Sequence, residues 1–144
     1  AVDLLLRPRA PAEAHAPRNS HFGTLAGIYA DILAGQTENA RGRLDAMARD
    51  RLGLGMRAPD GEFTFKRAEA YALLGDSGRA VDVASHAFAQ GFGCLRWYRQ
   101  CPLLAGARDL PRWKALEQHL QEREALYLKR YPLAVFGPGP AAES

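Results

Sequence analysis

Residues 68–87, AEAYALLGDSGRAVDVASHA, decide how this chain is read. Ala68, Tyr71, Ala72 and Leu74 fall on the three- and four-residue spacing of one helix face. Gly75 supplies the residue that takes positive φ at a helix C-terminus. Asp76 or Ser77 can accept hydrogen bonds from the first free amides of a following helix. That helix repeats the pattern with Ala80, Val81, Ala84, Ala87 and Phe88. Alanines on the contact face let two helix backbones approach closely. Neither helix is long enough to hold itself in water, so both must pack against neighbours. The stretch predicts a helical hairpin, and more hairpins beside it.

Outward from this centre the pattern recurs. Residues 21–33 read as a helix with Phe22, Leu25, Ala26, Tyr29, Ile32 and Leu33 on its apolar stripe, after a candidate N-cap at Asn19-Ser20. Gly35 then plays the part of Gly75, 40 residues away (75 minus 35), and residues 37–51 read as a second helix with Ala40, Leu44, Met47 and Ala48 inward. Residues 52–61, LGLGMRAPDG, read as an insertion, with Asp60 as the cap of the next helix and Phe63 and Phe65 entering the core or a groove. Its Gly-x-Gly follows a helix and lacks Gly-Lys-Ser/Thr, which removes the phosphate-loop reading. Beyond the central hairpin a short helix over 95–100 and a turn at Cys101-Pro102 are expected. A long helix then runs from Pro111 to Tyr131 with Trp113, Leu116, Leu120, Tyr127 and Tyr131 on its stripe. Pro132 ends it. The domain is therefore placed at 19–132, with a linker or the end of a preceding element over 1–18 and a flexible tail over 133–144.

Composition narrows the class. The chain has 144 residues, 47% hydrophobic and 24% charged, with a net charge of +3, which suits one globular domain. No apolar run reaches the ~20 residues of a membrane span. The two cysteines, Cys94 and Cys101, do not form a Cys-x-x-Cys pair or a disulfide framework, and a cytoplasmic setting is expected. Nucleic-acid binding is not expected, because basic and acidic residues are interspersed; Arg96-Trp97-Tyr98-Arg99 reads as a buried aromatic pair between solvated arginines.

Ala68, Tyr71, Leu74-Gly75-Asp76, Ala80, Ala84 and Ala87 resemble the tetratricopeptide repeat (TPR), a unit of about 34 residues. The departures are Arg67 at an apolar position and Gln90-Gly91-Phe92-Gly93 where a proline is usual. A second run is similar to the tail of the TPR region in large bacterial signalling and transcriptional regulators. It comprises Gly91-Phe92, Trp97-Tyr98, Cys101-Pro102-Leu103-Leu104, Arg108, Pro111-Arg112-Trp113 and Ala115-Leu116. That tail has Asp-Pro twice where this chain has Cys101-Pro102 and Leu110-Pro111, with Asp109 as a possible substitute cap. The resemblances imply an all-α fold: a right-handed superhelical stack of about three hairpins with a long C-terminal capping helix. They also imply a protein or peptide partner in a concave groove. Repeat spacing would line that groove with Phe22, Leu25, Tyr29, Phe65, Lys66, Glu69, Tyr98 and Arg99, the alternative for the apolar members being ordinary core. Self-association is the second reading.

No catalytic, cofactor or metal residues are assigned. His15, His21, His86 and His119 are scattered, and no nucleophile elbow, His-Glu-x-x-His or phosphate loop occurs. A non-catalytic interaction domain is the expectation.

Overall fold

The two turns forty residues apart are the same turn. Gly35 and Gly75 take φ of 75° and 76°. The Gly35 N–H donates to the Ile32 carbonyl at 3.0 Å and Gln36 N–H to the Asp31 carbonyl at 2.8 Å; Gly75 to Ala72 and Asp76 to Tyr71 repeat this at 3.0 Å each. This double closure satisfies carbonyls that a helix end otherwise leaves bare. The computed structural model describes residues 21–49 and 61–132, and among them every regular element is a helix. Helices α1 (His21–Leu33), α2 (Thr37–Arg49), α3 (Gly61–Leu73) and α4 (Ser77–Ala89) are each 13 residues long. The second hairpin thus starts and ends, helix by helix, forty residues after the first. Asp76 caps α4, accepting from the Arg79 amide at 3.1 Å. The expected caps at Asn19-Ser20 and Asp60, the linker and the tail lie outside the described residues.

One apolar core runs through both hairpins and on into the C-terminal part. Ala68, Ala80, Ala84 and Ala87 are fully buried, which lets α3 and α4 pack closely. Leu25 and Ile28 of α1 and Ala40 and Leu44 of α2 join the same core. Polar ties cross between the hairpins. Arg41 of α2 meets the Asp76 carboxylate and the Leu74 carbonyl, both at 3.2 Å. Four residues on, Asp45 accepts from Arg79 and from the Tyr71 hydroxyl, each at 2.7 Å.

Two glycines lie beside arginines that reach past them, and the first makes room for its arginine. A Cβ on Gly27 would lie 2.6 Å from the Arg43 guanidinium, which reaches past it to Asp31 at 2.5 Å. Arg112, paired with Asp82, passes Gly78 less closely, 3.4 Å from where a Cβ would stand, which is ordinary van der Waals contact. In both cases the acid stands four residues after the glycine, on the same helix face.

The third unit departs from the pattern. After Gly91, whose φ of 102° closes α4, α5 (Leu95–Gln100) has only six residues and is followed by a 3-10 helix over Pro102–Ala107. This helix packs on α3 and α4. Helix α6 (Pro111–Arg130) then packs on α5 and α4 through Trp113, Leu116 and Leu120. Asp109 does not cap α6: Leu110 occupies that position without a side-chain hydrogen bond, and Pro111 opens the helix. The Arg123 guanidinium lies 3.7 Å from the Phe88 ring centre, donates to the Phe88 carbonyl and occupies the space a Cβ on Gly93 would need. Past this anchor, Leu126, Tyr127, Leu128 and Tyr131 are exposed.

Candidate functional site

The Glu69 carboxylate is the buried charge around which a site can be built. It sits on α3 with 6% of its surface accessible, although its helix neighbours Ala68 and Ala70 are core alanines. A buried carboxylate needs a counterion and donors. Lys66, one turn earlier, supplies both, with Nζ 3.0 Å from each oxygen. The Cys101 thiol, at the α5 C-cap, lies 3.4 Å from Oε1. The Tyr29 hydroxyl of α1 is 3.3 Å from Oε2, but its single proton goes to the Lys66 carbonyl at 2.8 Å. Burial first, and then the Glu69 charge, push the Tyr29 hydroxyl and the Cys101 thiol well above their ordinary pKa values. Both stay protonated at neutral pH.

Above the carboxylate opens a pocket of about 440 Å³ lined by Glu69, Arg96, Trp97, Gln100, Cys101 and Pro102. Trp97 is 48% exposed and is braced edge-on by Phe92, with ring centres 5.9 Å apart. Lys66 Nζ stands 5.5 Å from the centre of the Trp97 ring while it holds Glu69. Arg96 is held at the rim by Gln100 at 2.9 Å. The pocket thus combines an aromatic wall, a buried anion at its base and a flexible cation between them.

The groove expected from repeat spacing is only partly assembled. Tyr29, Lys66 and Glu69 come together. Leu25, Phe65 and Tyr98 are corrections: they are 4%, 0% and 0% exposed and belong to the core, not to a binding surface. Phe65 packs between Phe92 and Tyr98, at ring distances of 5.0 and 4.7 Å, so α5 folds over it. Tyr98 is sealed further by Trp113 of α6 at 6.1 Å. Arg99 points to α6, pairing with Glu117 at 2.6 Å. The Phe22 side chain lies outside the described residues.

Trp97, Arg96, Gln100 and Cys101 carry the pocket and were not among the expected groove residues. The expected buried pair Trp97-Tyr98 is split, with Tyr98 inside and Trp97 out. Adjacent helical residues point about 100° apart, so one of the two can be buried while the other faces outward. The short helix gave too few turns to say which.

A second hollow of about 250 Å³ is lined by Asp45, Ala48, Arg67, Tyr71, Arg79 and Val83. Its acid is already engaged by Tyr71 and Arg79, the latter 5.2 Å from the Tyr71 ring centre. It ties the hairpins together. No group of three or more His, Cys, Asp or Glu among the described residues could hold a metal ion. Cys94 and Cys101 are free. His86 contacts Gln90 and His119 is exposed on α6. None of the described helices is long and apolar enough to cross a membrane.

Family models, curated proteins and solved structures give no significant match. The TPR likeness therefore rests on the residues and on the repeated hairpin geometry alone.

Proposed function

We propose that this chain is a non-catalytic protein-interaction domain of TPR-like, right-handed superhelical build, working in the cytoplasm as part of a larger bacterial regulatory protein. Its partner is a peptide or a domain that inserts a side chain into the Glu69–Trp97 pocket. The observation that carries the reading is the half-exposed Trp97 beside a buried carboxylate. A half-exposed indole beside a buried carboxylate offers an aromatic surface on which a partner's side chain can be anchored. No step of chemistry is required of the site.

Selection of a displayed random-peptide library on the whole chain tests this. Peptides sharing a motif should be enriched, and Trp97→Ala should weaken the selected peptides by about 10-fold or more, as loss of an aromatic anchor does. Selected peptides indifferent to Trp97→Ala, or no shared motif at all, would count against the pocket.

A second reading, self-association, is favoured by the four exposed apolar residues at the end of α6. Sedimentation across concentrations checks it, and a strict monomer at millimolar protein sinks it.

A further inference from the structure

The Glu69–Lys66 pair does more than neutralise itself, because its two members are not equally free to leave. The Glu69 side chain is 7% exposed and the Lys66 side chain 34%. A ligand anion would have to take Lys66 and strand a buried carboxylate without its counterion, which is the costly way to break such a pair. A ligand cation would replace Lys66, whose ammonium can swing into water on its flexible stem and be solvated there. The exchange is therefore cheap for a cation and dear for an anion. The aromatic wall agrees, since Trp97 already has a cation near its face in the free protein. Among the described lining residues Arg96 is the one opposing charge; it is exposed and turned onto Gln100, where solvent screens it.

Resting on the interaction reading above, we infer that the pocket recognises an arginine side chain of the partner peptide, with Lys66 as its displaceable internal stand-in. The planar guanidinium presents two parallel N–H groups to Glu69 Oε1 and Oε2, which Lys66 bridges with a single nitrogen, and it stacks on the Trp97 indole as it does so. Cys101 remains in place against the carboxylate, and the Tyr29 hydroxyl keeps its bond to the Lys66 carbonyl. Neither needs to change protonation.

The test is a titration of the ¹⁵N-labelled chain with three capped peptides, Ser-Gly-X-Gly-Ser, where X is arginine, its neutral isostere citrulline, or glutamate. The Trp97 indole N–H is the reporter and that of Trp113, 1% exposed in the core, is the control for intact folding. The arginine peptide should move the Trp97 signal and bind about 10-fold tighter than the citrulline peptide, the size of a charge-assisted bidentate contact. Glu69→Gln should erase that difference. Lys66→Met should tighten the arginine peptide several-fold, because it removes the internal competitor. A merely structural ion pair would not do that. Citrulline or glutamate binding as tightly as arginine, or Lys66→Met weakening the arginine peptide, overturns the inference while leaving peptide binding at Trp97 intact. If no peptide moves Trp97, the inference also falls, and the broader reading is decided separately by the library selection.

Discussion

The Tyr98 hydroxyl lies 2.8 Å from the Phe92 carbonyl and 3.1 Å from the Ala84 carbonyl, and it has one proton to give. Its ring is stacked among Phe65, Phe92 and Trp113. Removing the hydroxyl and removing the ring should therefore differ sharply. Tyr98→Phe is expected to cost about 1 kcal/mol, one buried hydrogen bond, and Tyr98→Ala about 3–5 kcal/mol, a lost core aromatic. Denaturant unfolding of both variants measures the gap, and equal costs would mean the ring is not packed as described. Gly93 is the other residue with a sharp expectation. A side chain there would collide with the Arg123 guanidinium, and the flexible arginine is the part that can yield. Gly93→Ala should release Arg123 from the Phe88 ring and carbonyl, costing about 1 kcal/mol for the cation–π contact. Amide exchange after Leu120 in α6 should quicken. Slow, unchanged exchange there would show that Arg123 is not the anchor.

At the scale of elements, the first two hairpins make a matched pair. Their turns share backbone angles and hydrogen bonds, so the same substitution should cost the same in each. Gly35→Ala and Gly75→Ala both force a Cβ into the left-handed region, with open space around it, at about 1–2 kcal/mol. Thermal unfolding of the two variants checks this; a difference well beyond experimental scatter would mean the two turns are not equivalent in the folded protein. The equivalence was legible in the sequence, because Gly35 and Gly75 mark helix ends by themselves. The third unit was legible in part: the short helix over 95–100 and its break at Cys101-Pro102 were expected, but the 3-10 helix over Pro102–Ala107 was not, since it depends on how Leu104 and Ala107 seat on α3 and α4. The glycine-passing arginines, Arg43 over Gly27 and Arg112 over Gly78, were equally hidden: the partners come from different helices.

Across the whole molecule, three buried or half-buried tyrosines hold their protons more tightly than free tyrosine does. Tyr71 is pushed from 10.0 to about 12, by burial first and then by its hydrogen bond to Asp45. Tyr29 and Tyr98 are raised too, again chiefly by burial. Above pH 10 an unfolded chain gives up phenolic protons that the folded chain keeps, so rising pH favours unfolding. The contribution of Tyr71 is complete below about pH 10 and is lost as pH climbs towards 12. Melting temperature should stay level on this account up to pH 10 and then fall, more gently in Tyr71→Phe. An identical alkaline slope in that variant would remove Tyr71 from the account. Salt should matter little at neutral pH. The inter-hairpin pairs Arg41–Asp76 and Arg79–Asp45 have side chains about a third to a half exposed, where water already weakens an ion pair.

The helical class, the forty-residue repeat and the first four helices follow from the sequence alone. Helix periodicity and turn glycines are local signals that each segment carries for itself. The sequence also singled out Tyr29, Lys66 and Glu69. Only the tertiary structure decided that Phe65 and Tyr98 are core while Trp97 stays open, because that depends on α5 folding across α3 and α6 sealing it from outside. It likewise decided that Cys101, 32 residues from Glu69, meets the same carboxylate. Which face of a short helix meets water is set by its neighbours, and no spacing within six residues can fix it.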